Sequence, residues 1–157
     1  MKNIQTQIGS SLIEVMVALL VTAVGLLGVL TMHTKALKLN QNAHLYSQAT
    51  ILANDIMEAI KTTPDAVASY SLVKTGTAPA SPGCTTSCTP EQMAQMNLNH
   101  WVTNISDLLP GGEGAIAINS TTNEILITVE FELGYEKNEA GEMVPLEKAN
   151  VQLRAAG

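Results

Sequence analysis

The sequence predicts an α+β fold in which a long N-terminal helix packs on a small antiparallel sheet with one extra helix. Three observations lead to this prediction. Residues 15–32 form an uncharged apolar run, an amphipathic pattern follows with no proline before Pro64, and apolar and polar residues alternate near the C-terminus. An apolar run of this length suits a membrane-spanning helix, and alternation is typical of strands that bury one face. The helix should therefore have a transmembrane half and an amphipathic half.

Composition restricts the class of protein. The chain has 157 residues, which suits one domain, or one domain plus an anchor, and its formal net charge is −6. Eleven of the fourteen acidic residues follow Thr63 and the sequence contains no basic stripe, so we expect no nucleic-acid partner. The sequence also contains no glycine-rich phosphate loop, no metal-ligand cluster and no Ser/His/Asp motif. We therefore expect no catalytic residue, no metal site and no cofactor.

The N-terminal residues 1–9 form a short polar segment with one lysine, and the apolar run follows. A secretory signal has a shorter apolar region and a small-x-small cleavage site behind it, but the residues after Met32 contain no such site. We therefore expect the run to stay in the protein as a single membrane span. Lys2 precedes the run and Lys35 and Lys38 follow it, so the positive charges do not fix its orientation.

Glu14 lies near the start of this predicted membrane helix, where a carboxylate is costly unless it is paired or close to the interface. One hypothesis is that it meets a cation. If the chain is cut between Gly9 and Ser10, Ser10 gains a free α-amine four residues before Glu14, on the same helix face or on a neighbouring subunit. The alternative is an interfacial glutamate that is stabilised by the dipole of the helix N-terminus.

The amphipathic half is expected to cover residues 33–62 and to end at Pro64. Its apolar residues recur at steps of three and four, which predicts one apolar stripe that faces a core. The stripe consists of Ala49, Leu52, Ala53, Ile56, Ala59 and Ile60.

Residues 63–157 are expected to form a globular domain that begins with a loop rich in threonine, serine, proline and glycine, up to Thr89. Cys84 and Cys88 lie in this loop. A disulfide between them would need an oxidising compartment, and we favour it. Half of a zinc site is a second possibility, although the histidines are far away in sequence, and two free thiols are a third.

A second helix is predicted to begin at Thr89, because Thr89, Pro90 and Gln92 supply an N-cap, a first-turn proline and a capping box. The helix should stop at the Leu-Pro-Gly-Gly sequence that starts at Leu109. Its apolar stripe is more typical of a core than of a ligand site. The predicted stripe comprises Met93, Met96, Trp101 or His100, Ile105 and Leu108.

Strands are predicted in the last part of the chain. Residues 115–118 and 125–133 should form a hairpin, and residues 149–155 should form a third strand. The cations of the third strand are expected to face Glu130 and Glu132 across the sheet. The intervening segment 134–145 is expected to be an acidic, flexible loop.

The segment Gly9–Val15 reads Gly-Ser-Ser-Leu-Ile-Glu-Val and resembles the cleavage motif of type IV prepilins. The family pattern is Gly, usually Phe, then Ser or Thr, Leu, Ile or Leu, and Glu, so Ser10 stands where phenylalanine is usual. The resemblance implies a type IV pilin fold and cleavage by a membrane aspartic peptidase between Gly9 and Ser10. It also implies methylation of the new amine of Ser10, and a Glu14 that guides docking into the growing filament.

Two further segments resemble PilV-type minor pilins. Residues 47–58 carry an Ala-x-x-Leu-Ala-x-x-Ile-x-Glu pattern, and the cysteines precede a capped helix, Trp101 and the Leu-Pro-Gly-Gly sequence. This resemblance implies a minor pilin that is needed for assembly of a type IV pilus, in a priming or tip complex. The implied partners are the prepilin peptidase, other minor pilins, the major pilin, the inner-membrane assembly platform and the lipid bilayer.

The resemblance also implies an order of domains and a location. Residues 1–9 would be the leader, 10–32 the transmembrane segment, 33–62 its amphipathic continuation and 63–157 a periplasmic globular domain. The protein would span the bacterial inner membrane once and then enter a cell-surface pilus. Two alternatives remain at this point, namely a minor pseudopilin of a type II secretion system and a pilus-tip adhesin.

Overall fold

A computed structural model describes residues 11–84, 87–137, 139–145 and 147–156 of the chain. The chain divides into two units between Gln41 and Asn42. Helix α1, Leu12–Thr62, begins in the first unit, and its remaining turns belong to the second unit together with every other described helix and strand.

The second unit combines helices with strands, as the sequence predicts. After α1 come a 3-10 helix, one strand, a second helix and five further strands. The elements are the 3-10 helix Pro64–Tyr70, β1 Leu72–Thr75, α2 Pro90–Leu108, β2 Glu113–Asn119, β3 Glu124–Glu132, β4 Tyr135–Lys137, β5 Met143–Pro145 and β6 Lys148–Ala156.

The later turns of α1 supply one side of the core, and the predicted apolar stripe is confirmed there. Ala59 is only partly buried, whereas Met57 joins the buried set, because the stripe is slightly wider than the three- and four-residue steps suggest. The opposite face of the same turns is polar and exposed. The buried residues of α1 are Ala49, Leu52, Ala53, Ile56, Met57 and Ile60.

A four-stranded antiparallel sheet forms the other side of the core, with the strand order β1-β2-β3-β6. The predicted hairpin and third strand are confirmed, and β3 and β6 pair without interruption from Glu124–Ala156 to Glu132–Lys148. Apolar side chains of β3 alternate into the core, as a strand with one buried face requires. The fold is therefore α+β, with a long N-terminal helix, a four-stranded antiparallel sheet and a second helix.

The segment 62–89 is more ordered than the predicted loop. It contains the 3-10 helix Pro64–Tyr70 and strand β1, which extends the sheet. Tyr70 is fully buried, and its hydroxyl accepts a hydrogen bond from Asn97 Nδ2 at 2.7 Å. Local sequence signals missed these elements because burial of Tyr70 and pairing with β2 stabilise them, and both are contacts between distant parts of the chain.

Helix α2 begins as predicted, with a capping box. Thr89 Oγ1 accepts from the backbone N–H of Gln92 at 3.3 Å, and Gln92 Oε1 accepts from the backbone N–H of Thr89 at 3.0 Å. The predicted stripe is correct at Trp101 and Ile105 but wrong at its ends, because Met93 and Leu108 are exposed. The helix is rotated so that Ala94, Leu98 and Val102 reach the core in place of Met93 and Leu108. Its buried residues are Ala94, Leu98, Trp101, Val102 and Ile105.

The predicted acidic loop 134–145 contains a two-stranded antiparallel ladder between β4 and β5. Gly134 precedes the ladder and Gly141 lies in its turn, and both have positive φ, at 93° and 82°. Glycine tolerates this backbone region at little cost, so the two residues let the chain turn. The sequence contained the turn signal, but three-residue strands are too short for a periodic pattern.

A row of four charged side chains crosses the sheet, one from each strand. Glu113 and Glu130 are direct partners on β2 and β3 and would repel each other. Lys74 on β1 and Lys148 on β6 flank them, and each ammonium lies 3.3–3.6 Å from an oxygen of both carboxylates. The expected pairing of a β6 cation with Glu130 is confirmed for Lys148. Arg154 lies 3.8 Å from Glu124 instead, because the β3–β6 register places it near the start of β3. The strand prediction missed Lys74 as a partner.

The contacts within this row of charges shift the pKa values of Glu130 and Lys148. Desolvation opposes ionisation of Glu130, but the hydrogen bonds and charges of Lys74 and Lys148 outweigh it and lower the pKa of the Glu130 carboxyl. The hydrogen bond to Glu130 and the charge of Glu113 raise the pKa of Lys148. A lowered glutamate pKa stabilises the fold at neutral pH, and this contribution disappears as the pH falls through the folded-state value.

We therefore expect Glu130→Gln to destabilise the domain by about 0.5 kcal/mol at pH 7, because the lysines are half-exposed and the new amide relieves repulsion with Glu113. The difference from wild type should shrink below the ordinary glutamate pKa of 4.5 and vanish once Glu130 is protonated in the folded protein. Urea unfolding of the full chain in detergent, followed by the fluorescence of Trp101, measures the destabilisation at pH 7 and its change with pH. Asp107→Asn, an exposed change on α2, is the control, and an unchanged difference at acid pH would contradict the assignment.

Candidate membrane anchor and assembly site

The described residues of the first unit leave their apolar side chains exposed. Residues 11–41 are all exposed, and the large apolar ones among them are 50–81% exposed. Ordinary soluble proteins rarely expose a contiguous apolar patch beyond a few hundred Å². This surface therefore requires a cover of lipid or of other apolar helices.

The dimensions of the uncharged run fit a bilayer. Between Glu14 and Lys35, α1 has no charged residue at neutral pH, with His33 counted as neutral. At 1.5 Å per residue the run is about 30 Å long, which equals the usual hydrocarbon thickness. Helix α1 is the one described helix that is long and apolar enough to cross a membrane, with a mean hydropathy of 2.5 in its most apolar window.

The hydroxyl groups within the run are satisfied by the helix itself. Thr22 Oγ1 donates to the carbonyl of Ala18 at 2.7 Å, and Thr34 Oγ1 donates to that of Leu30 at 2.7 Å. Thr31 donates to the preceding turn in the same way. An unpaired hydroxyl costs several kcal/mol in hydrocarbon, on the order of 4 or more, so these bonds make the three threonines compatible with an apolar environment.

Glu14 lies in the first turn of α1, where its backbone N–H donates to the carbonyl of Ser11 at 2.9 Å. Its side chain is exposed at the end of the uncharged run. The positive end of the helix dipole favours a carboxylate here. Gly9 and Ser10, the predicted cleavage site and modified N-terminus, lie outside the described residues, so their cleavage and their pairing with Glu14 remain predictions.

In the second unit, Trp101 fixes α2 to α1. The indole is almost completely buried, and its Nε1–H donates to the backbone carbonyl of Leu52 at 2.8 Å. Strand β2 passes close beneath the ring at Gly114, where a Cβ atom would lie 2.7 Å from Trp101 Cζ3. A residue larger than glycine would collide with a rigid buried ring, so Gly114 and Trp101 together set the distance between α2 and the sheet.

The predicted disulfide between Cys84 and Cys88 is present, with their Cα atoms 5.7 Å apart. Neither described cysteine is free, which removes the zinc and free-thiol alternatives. Cys88 directly precedes Thr89, the N-cap of α2, so the bond restrains the chain where α2 begins. Among the described residues, no group of three histidine, cysteine or acidic side chains is placed to hold a metal.

A cleft of about 270 Å³ lies between the second-unit turns of α1 and helix α2. Asp55 and His100 reach its lining, and His100 Nδ1 lies 3.3 Å from the side-chain amide of Asn104. The described lining holds no serine, threonine or cysteine nucleophile beside this imidazole. The cleft therefore has the residues of a polar surface groove rather than those of nucleophilic catalysis.

A long exposed apolar helix whose later turns pack on a four-stranded antiparallel sheet and a second helix defines a pilin-like architecture. Residues 31–99 match the model of the Tt1218-like family, described as type IV pilin Tt1218. The matched segment runs from α1 to the middle of α2. No curated protein and no solved structure matches the chain significantly. The chain therefore has a pilin-like fold, and its residues 31–99 are similar to a type IV pilin family.

Proposed function

We propose that the protein is a minor pilin, a structural subunit needed to assemble a type IV pilus. The observation that carries the proposal is the exposed uncharged run of α1 with Glu14 at its start. A helix that is apolar on every side can leave a bilayer only if other apolar helices cover it, and a filament core supplies that cover. The match of residues 31–99 to a type IV pilin family supports the same class.

Within this proposal, residues 1–9 are a leader that a prepilin peptidase removes, and Ser10 becomes the methylated N-terminus. The mature chain remains in the inner membrane with its globular domain in the periplasm until an assembly platform inserts it among other pilins. The disulfide Cys84–Cys88 supports the periplasmic location, because such bonds persist in oxidising compartments. The minor role rests on the resemblance of residues 47–58 and of the α2 region to PilV-type pilins.

We expect Gly9→Leu to abolish cleavage and to leave the full-length precursor in the membrane. The bulky side chain beside the scissile bond would not fit the peptidase. The intact mass of the purified protein distinguishes the precursor from the cleaved form, because cleavage removes the mass of residues 1–9. Ser11→Ala, two positions after the bond, is a matched control that should be processed. Normal processing of Gly9→Leu would contradict the predicted site.

The function itself is tested by deleting the gene and restoring it on a plasmid. We expect the deletion to reduce pili on the cell surface and the wild-type subunit to be present in sheared fibres. If pili are normal and secretion of exoproteins fails instead, the subunit belongs to a type II secretion pseudopilus. If pili assemble normally but cells no longer attach, the adhesin alternative is correct.

A further inference from the structure

The cleft between helices α1 and α2 lies wholly within the second unit and is lined by one face of each helix. The lining runs from Leu52 to Ala59 on α1 and from Asn97 to Asn104 on α2. On each helix the lining residues follow the first one by three, four and seven positions, which places them on a single face. The hydrogen bond from Trp101 Nε1–H to the carbonyl of Leu52 holds the two faces together.

The cleft has an apolar floor and a polar rim. Leu52, Ile56 and Trp101 form the floor, and each of them is at most 3% exposed. A ligand for such a cleft combines an apolar stem with a polar head, because an unpaired polar group on the floor would be costly. The rim consists of Asp55, Asn97, His100 and Asn104, which are exposed or half-buried.

The rim offers hydrogen-bond acceptors. Asn97 Nδ2 donates to the hydroxyl of Tyr70 at 2.7 Å, and Asn104 Nδ2 lies 3.3 Å from His100 Nδ1, so each amide keeps its carbonyl oxygen as an acceptor. The Asp55 carboxylate is in no ion pair among the described residues. The described lining also contains no lysine or arginine. The rim therefore suits a cationic donor with several N–H groups.

The charge of the second unit also favours a cation at this rim. Residues 42–157 contain thirteen acidic and five basic residues, with the histidines counted as neutral. Two such units repel each other, whereas a partner with a basic surface is attracted and oriented. The electrostatics therefore favour a different protein over a second copy of this chain.

We propose that the cleft binds an arginine side chain, presented by a protein of different sequence with a basic surface. The guanidinium has five N–H donors in a planar fork, which can pair with the Asp55 carboxylate and reach the amide oxygens of Asn97 and Asn104. It is more weakly hydrated than the ammonium of lysine, so it tolerates the apolar floor beside Trp101. The cleft volume of about 270 Å³ lies just below the range of small-molecule pockets, about 300–1,000 Å³, and suits one long side chain rather than a cofactor.

A second copy is a poor source of this arginine. Arg154 is the one arginine of the chain, and its Nη1 lies 3.8 Å from an oxygen of Glu124 in its own unit. The inference goes beyond the proposed function, because the cleft belongs to the second unit alone and its chemistry does not depend on the membrane anchor.

Titration of the full chain in uncharged detergent tests the site, and the fluorescence of Trp101, the single tryptophan, is the readout. The probe is N-acetylarginine methylamide, and N-acetylcitrulline methylamide is its uncharged analogue of nearly the same shape. We expect saturable binding of the arginine probe and at least about tenfold weaker binding of the citrulline probe. N-acetyllysine methylamide should bind with an intermediate affinity, because it keeps the charge and loses the fork.

Asp55→Asn should weaken binding of the arginine probe by at least about tenfold, because a neutral amide replaces the charged acceptor. Asp107→Asn is the matched control, since it removes a carboxylate from α2 outside the cleft, and its affinity should stay within about twofold of wild type. Both side chains are exposed, so both variants should unfold at the wild-type urea concentration, which separates lost binding from a lost fold.

Several results would overturn the proposal. Absent saturation, equal affinities for the arginine and citrulline probes, or equal losses in Asp55→Asn and Asp107→Asn would show at most a non-specific attraction to an acidic surface. Lysine binding as tight as arginine binding would overturn the assignment of the planar fork.

Sedimentation of the full chain in the same detergent decides the source of the arginine. Wild type and Arg154→Gln should both be monomeric, because the occupant is a different protein. A self-association that is lost in both Arg154→Gln and Asp55→Asn would place a second copy in the cleft and overturn the proposal. None of these measurements involves pili, so normal pili after gene deletion would contradict the proposed function and leave the arginine site standing.

Discussion

Glu14→Ala is expected to reach the membrane at the wild-type level and to be almost absent from sheared pili. Removing the carboxylate makes the anchor more apolar, so membrane insertion should not suffer. If the chain is cleaved after Gly9 as proposed, the variant loses a partner for the free amine of Ser10 in a setting of low dielectric. An unpaired buried charge there costs several kcal/mol, on the order of 3–5, and at about 1.4 kcal/mol per factor of ten this corresponds to a loss of about a hundredfold or more in incorporation.

The alternative role of Glu14, a favourable interaction with the helix dipole alone, predicts a much smaller effect. That interaction is worth about 0.3–1 kcal/mol, so pili should then contain nearly normal amounts of the variant. Quantitative immunoblots of sheared fibres, normalised to the membrane fraction, separate the two roles. Asp107→Ala removes an exposed carboxylate from α2 and serves as the control. Glu14→Gln keeps the size and should fail like Glu14→Ala, because the charge is what matters.

Trp101→Ala is expected to destabilise the globular domain by about 3–5 kcal/mol, which is a large part of the stability of a small domain. The variant loses the buried indole and leaves a cavity between α1, α2 and β2. Urea unfolding of the full chain in detergent, followed by circular dichroism, measures the loss, because the protein has no other tryptophan to report by fluorescence. Met93→Ala, at a partly exposed position of the same helix, should cost less than about 1 kcal/mol.

A second variant divides this effect into packing and hydrogen bonding. Trp101→Phe keeps most of the ring and loses the donor to Leu52. That carbonyl lies inside α1 and also accepts the helical N–H four residues later, so it stays satisfied. We therefore expect Trp101→Phe to cost only about 1–2 kcal/mol. Equal losses for Phe and Ala would show that the hydrogen bond, and not the filled volume, secures α2 on α1.

Features that depend on local periodicity or local chemistry could be predicted from the sequence. The apolar run, the α1 stripe, the β3 alternation and the Thr89 capping box were all predicted, because each pattern lies within one element. The disulfide was favoured from the short spacing of its cysteines. The family motif around Gly9 and Glu14 came from resemblance, and its residues at positions 9 and 10 lie outside the described part of the chain.

Packing between distant parts of the chain determines which weaker patterns become ordered and which faces become buried. Burial of Tyr70 stabilises the 3-10 helix, and pairing with the edge of β2 stabilises strand β1. Neither contact has a local sequence signal. Packing also determines which face of α2 is buried. Trp101 must reach Leu52 and lie over Gly114, and this orientation turns Met93 and Leu108 outward. The pairing of Lys74 with Glu130 likewise needed the sheet, because 56 residues separate the two in sequence. Long-range contacts of this kind depend on how elements pack, and periodicity within an element does not specify it.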